Sequence, residues 1–173
     1  IETIVVVAVI GITLPVLFAI IFTLMREQIK IYRLSQVKRE GDYVINLMEN
    51  TIRNRAVTIH SAQPDDANIV CKGVVGSYSY SSTSSLYFLD EDKQFFGYKL
   101  DVNKVASASA NPDVDLTSSK IVVSGFSIDC SRNTIYSSPS VSISFTIQYD
   151  TTSTRPEEIA SMHYQMRIKL RSY

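Results

Sequence analysis

Three kinds of side chain in this sequence could do chemistry: two cysteines, two histidines, and a carboxylate at the edge of a long apolar run. Cys71 and Cys130 are the only cysteines. An even pair, 59 positions apart, permits one intramolecular bridge and excludes a sulfur-only metal site. In an oxidising compartment, a bridge closing so long a loop stabilises by a few kcal/mol, somewhat above the roughly 3 kcal/mol expected for a short one. In a reducing compartment the same residues would be two free thiols. His60 and His163 fall in different segments, and neither lies near a Cys or Ser nucleophile motif. Surface or helix-end roles are expected for both.

Hard-cation chemistry needs oxygen ligands gathered in a loop, and three acidic groups offer them: Asp65 with Asp66, Asp90 with Glu91 and Asp92, and Asp113 with Asp115. None has the spacing of a calcium loop, so solvated turns are expected there and no metal or cofactor is assigned. GxSxG, HExxH, phosphate-loop and dinucleotide signatures do not occur, so the sequence reads as a non-enzyme. Seventeen basic residues balance seventeen acidic ones, which removes the electrostatic case for nucleic-acid binding.

Glu2 is the remaining candidate, and its setting is unusual. From Thr3 to Leu24 the segment TIVVVAVIGITLPVLFAIIFTL carries no charge; as a helix it would cover about 33 Å, a bilayer span. A cleaved signal fits poorly, because no basic region precedes the run and it continues straight into MREQIKIYRL. A carboxylate beside hydrocarbon must sit at the interface, be protonated, or pair with a cation, and the nearest cation is an N-terminal amine. Gly11 and Pro15 interrupt the run. Proline cannot donate to the Gly11 carbonyl and crowds it, so a kink or unwound turn is expected between them.

The stretch IETIVVVAVIGITLP resembles the N-terminal signature of type IV pilins and type II secretion pseudopilins. In that family a glutamate near the mature N-terminus is followed nine residues later by a glycine, and Glu2 and Gly11 keep this spacing. The resemblance implies three further residues ahead of Ile1. Pro15 departs from the pattern of many major pilins, lying four positions earlier. Glu2, Gly11 and Pro15 are therefore the expected filament-assembly residues.

Beyond Leu24 the sequence keeps helical character through Val57, with Leu34, Val37, Val44, Leu47, Met48 and Ile52 on one stripe and Gly41 in its gap, where a small residue permits close approach. Arg26, Lys30, Arg33, Lys38 and Arg39 form a basic cluster just past the span. By the positive-inside rule they would put the C-terminal domain in the cytoplasm; the cysteines, the Ser/Thr-rich strands and the resemblance put it outside. From about Thr58 the texture becomes antiparallel sheet. In SVSISFTIQY, residues Val141, Ile143, Phe145, Ile147 and Tyr149 alternate with polar ones, and MHYQMRIKL repeats the pattern, with His163 on the wet face; the two are expected to pair as a hairpin. SLYFLD and QFFGYKL form a second expected hairpin, KIVVSGFSID adds a strand, and SYSYSSTSSLY is a loop or a polar strand whose hydroxyls could carry glycans.

The expected fold is thus α+β: a hydrophobic helix over 1–24, its amphipathic continuation over 25–57, and an antiparallel β-sheet head over 58–173, the pilin "lollipop". The resemblance further implies cleavage by a prepilin peptidase, N-terminal methylation, a cytoplasmic-membrane pool, and extraction by an assembly ATPase and platform protein into a homo-oligomeric helical filament at the cell surface, serving adhesion, twitching motility, secretion or DNA uptake. The stretch LSQVKREGDYVINLMENTIRNRAV and the ending MRIKLRSY are similar to J-type minor pseudopilins. A chain with its own glutamate, glycine and full span can polymerise, so a filament-forming subunit is the leading reading. A membrane-anchored extracellular binding domain is the alternative from another class.

Overall fold

The computed structural model describes residues 2–63, 66–72, 77–109, 112–153, 155 and 158–170. An uninterrupted apolar run followed by an amphipathic one favours a single helix, and α1 spans Glu2–Arg55 without a break. At about 1.5 Å per residue its 54 residues extend some 80 Å. The helix runs through Gly11 and Pro15, so the expected unwound turn does not form in this chain. Thr13 and Thr23 return their hydroxyls to the carbonyls of Ile10 (3.3 Å) and Ala19 (2.9 Å), which satisfies the side-chain donors that lie in the apolar run beyond Thr3. Arg53 and Arg55 occupy the last turn, where cations complement the helix dipole. Val57 N–H then bonds the Leu89 carbonyl at 2.8 Å and hands the chain to the sheets.

Ten strands are present among the described residues: β1 (Thr58–His60), β2 (Ile69–Val70), β3 (Tyr78–Ser82), β4 (Ser85–Leu89), β5 (Phe95–Asp101), β6 (Lys104–Ser107), β7 (Val114–Asp115), β8 (Ile121–Arg132), β9 (Ser140–Tyr149) and β10 (Ser161–Lys169). They divide into two antiparallel sheets, ordered β2-β1-β4-β5-β6-β7 and β10-β9-β8-β3. Both expected hairpins form, β9 with β10 and β4 with β5. The Ser/Tyr stretch is a polar edge strand, β3, paired with β8. Within β8 the ladder slips between Ser124 and Ser127, and Gly125 there takes a φ of 61°, a conformation that a β-carbon would strain.

Alternation decides which faces meet. Val141, Ile143, Phe145 and Ile147 of β9 are fully buried, and α1 lies across β9 and β10 with Val37, Gly41, Val44, Met48 and Ile52 turned inward. Leu34 is 40% exposed, and Leu47 is half-buried at the stripe's edge. One continuous apolar core links the helix stripe with both sheets, including the stacked pair Phe88 and Phe96 (centroids 5.3 Å). Cys71, just after β2, is bonded to Cys130 of β8, so the disulfide ties one sheet to the other.

Candidate functional site

Two surfaces of α1 stand out. The first is the helix before the head. Its most apolar 18-residue window has a mean hydropathy of 3.0 and no residue buried within the chain. Ile4, Ile12, Phe18 and Phe22 are each more than half exposed. Water is a poor solvent for such a surface: a Val, Leu, Ile or Phe side chain gains about 1.5–3 kcal/mol on full burial, so a run of this length requires lipid or other protein around it. Gly11 and Pro15 lie about 40° apart on one face of this segment, and Glu2 lies on the opposite face. A single chain therefore does not bring its three expected assembly residues into one site. All three are exposed, with Glu2 in the first turn, where a carboxylate complements the helix dipole.

The second surface is the seam that fixes the head to the helix. The hydroxyl end of Tyr164 of β10 packs against Gly41: a β-carbon at Gly41 would fall 2.2 Å from the tyrosine ring. The ring stacks on Phe145 (5.6 Å), and its hydroxyl proton is shared between the Lys38 carbonyl and Asp42 Oδ1, each 3.1 Å away. Desolvation first, and the hydrogen bond to Asp42 second, push the phenol up to about 12, so it stays a neutral donor. Glu40 grips Ser118 twice, accepting from its N–H (2.8 Å) and its hydroxyl (2.6 Å). Nearer the span, Arg33 donates to the Glu158 carbonyl (2.9 Å) and sits 5.6 Å over the Tyr149 ring. At the far end of the helix, Arg55 pairs with Asp90 at 2.6 Å and lies over Phe96.

Asp90 corrects an expectation. It is buried rather than solvated: its Oδ1 accepts the Gln94 N–H at 2.8 Å and closes the β4–β5 turn. The hydrogen bond from Arg55, then that from Gln94, holds its carboxyl below the usual carboxylate value. Glu91 and Asp92 beside it are exposed. Asp113 and Asp115 pair with Lys99 and Lys104, respectively; Asp65 and the side chain of Asp66 lie outside the described residues. His60 also departs from expectation. It is 2% exposed in β1, with Nε2 2.8 Å from the Thr58 hydroxyl. The reason is position in the sheet: β1 is an interior strand between β2 and β4, and both Ile59 and His60 are covered, so neither face of it is left to solvent. His163 is exposed on the wet face of β10, as its place in the alternation requires. Among the described residues, no three of His, Cys, Asp and Glu converge as metal ligands would.

Sequence reasoning placed Tyr164 on a core face and marked Gly41 as a point of close approach, but nothing in the sequence joins the two. The Glu40–Ser118 and Arg33–Glu158 contacts were missed for the same reason: their partners are far apart along the chain. Comparison with known protein families, with characterised proteins and with solved structures gave no match to this chain. What stands on the structure alone is the class of architecture, a long N-terminal apolar helix packed on antiparallel sheets with a disulfide, which is pilin-like. The bilayer-length helix and the disulfide together point to a membrane-associated, extracytoplasmic protein.

Proposed function

We propose that the chain is a structural subunit of a filament of the type IV pilus class, polymerising through the first half of α1. The observation that carries this reading is the division of one helix into an amphipathic half with one face buried by its own head and a far more apolar half that its own head leaves uncovered. Before assembly the uncovered half lies in the cytoplasmic membrane with the head outside. A prepilin peptidase exposes the mature N-terminus, and an assembly ATPase with its platform protein draws the subunit out. Neighbouring helices then replace lipid as the solvent for the apolar surface. Glu2 pairs with the N-terminal amine of an adjacent subunit and sets axial register, because an unpaired carboxylate in such a core carries a desolvation penalty of several kcal/mol. Gly11 and Pro15 supply the weak point at which the helix stretches as it leaves the bilayer. The resulting surface filament serves adhesion, motility or DNA uptake.

The test is electron microscopy of filaments sheared from the native cells, with mass spectrometry of the sheared fraction. This chain should dominate that fraction, with an N-methylated peptide carrying three residues ahead of Ile1. If filaments of another protein are shed while this chain stays in the membrane, it is a minor subunit or an anchored binding domain, and the major-subunit reading fails.

A further inference from the structure

Arg26, Lys30 and Arg33 are spaced four and three residues apart, so they fall within about 60° of the helix circumference. That sector is the one occupied higher up by Val37, Gly41 and Val44, the residues turned towards the head. The three cations therefore lie beneath the head, on the side it overhangs. Between them and the head is a hollow of about 260 Å³, with Thr23 at its lower end, Glu27 and Ile29 beside the cations and Glu158 at its upper end, so its lining sets three cations against two carboxylates. Arg33 closes the top by holding the Glu158 carbonyl. Arg26 is exposed and Lys30 half-buried, and among the described residues neither takes part in an ion pair.

Height matters as much as direction. Measured along the helix from Leu24, the last residue of the apolar run, Arg26 stands about 3 Å and Lys30 about 9 Å higher. The polar layer of a bilayer leaflet is roughly 5–8 Å thick, so Arg26 lies within it and Lys30 at its outer edge. We propose that this hollow binds the phosphodiester headgroup of an anionic phospholipid, with Arg26 and Lys30 as its charge partners and Arg33 as the group that positions its roof. The inference rests on the membrane pool proposed above. It also accounts for a cluster that the positive-inside rule would assign to the cytoplasm: with the head outside, the cations face the phosphates of the outer leaflet. A zwitterionic headgroup fits less well, since its own ammonium would meet the same cations.

The experiment uses the full chain reconstituted into vesicles of phosphatidylcholine mixed with phosphatidylglycerol, followed by native mass spectrometry of the lipid retained by each chain. Phosphatidylglycerol should be enriched over its bulk proportion by roughly tenfold or more, the effect expected of two cations at a membrane surface. The enrichment should disappear in Arg26→Gln/Lys30→Gln and persist in Lys38→Gln/Arg39→Gln, which removes the same charge from outside the hollow. Retention of the two lipids in bulk proportion, or enrichment that survives Arg26→Gln/Lys30→Gln, overturns the headgroup site while leaving the membrane anchor intact. Failure of the chain to insert into vesicles of either lipid overturns the anchor reading and this site with it.

Discussion

The two halves of α1 differ in how much burial they need and in what supplies it: the second offers one apolar stripe, which the head covers, and the first is apolar all round and stays uncovered. Ile52 is fully buried by the head; Ile20, in the same helix, is 52% exposed. The head reaches the helix from Arg33 and buries its inward face from Val37 onward, and there a glycine, a tyrosine and a handful of polar grips fix helix to sheet. The first half has no such partners in the subunit. One half is built for intramolecular packing and the other for a solvent that the subunit does not contain, so the two should respond to substitution in different assays.

The largest effect should come from the covalent tie between the sheets. Cys71→Ser/Cys130→Ser should lower head stability by about 4 kcal/mol, the chain-entropy value for a loop of this size, read as a fall in the denaturant midpoint. Membrane insertion, which depends on the first half alone, should not change. Next comes a matched pair on the helix. Ile52→Ala should cost about 2–5 kcal/mol of head stability, because it removes methyl groups from a closed core. Ile20→Ala should leave head unfolding unchanged within about 0.5 kcal/mol, while lowering filament yield. Equal effects of the two on head stability would erase the distinction between the halves.

A smaller effect concerns the upper end of the seam. The folded-state pKa of Asp90 is depressed from an ordinary value of 3.8, so its contribution is present above that value and is lost as pH falls through the depressed one. Thermal unfolding of the head followed below about pH 4 should therefore show an acid-induced loss that is smaller in Asp90→Asn. The smallest effects lie at Gly41. Tyr164→Phe should cost about 1 kcal/mol through the lost hydroxyl bonds. Gly41→Ala should be destabilising in the natural chain, where the new β-carbon strikes the Tyr164 ring. In a Tyr164→Ala background the same change should become stabilising by up to about 1 kcal/mol, since only the helix propensity gain remains. The sign reversal is measured by a double-mutant cycle in denaturant.

Much of the fold was legible because its longest elements carry their periods openly. The apolar run gave the helix, and strict alternation in β9 and β10 gave both the hairpin and its buried face. β1, β2 and β7 were not legible, since two or three residues show no periodicity and their pairing is set by tertiary contacts. β6 was hidden for another reason. The turn before it places Val102 and Asn103 at φ values of 40° and 65°, a conformation usually signalled by Asn-Gly rather than by a β-branched residue. At the candidate site, the apolar character of the first half was plain, but the assembly roles proposed for Glu2, Gly11 and Pro15 rest on resemblance. The basic cluster was visible as charge, yet charge and the disulfide argue for opposite sides of a membrane. Direction around the helix, which puts Arg26, Lys30 and Arg33 beneath the head, became readable only once the head was in place.

Glu2→Ala tests the central claim most directly, with subunit in the membrane fraction and filaments in the sheared fraction quantified side by side in the native cells. A filament subunit whose register depends on pairing this carboxylate should still accumulate in the membrane at its natural level while sheared filaments are lost or sharply reduced. Undiminished filaments, or an unchanged surface activity of a chain that never leaves the membrane, would contradict the account.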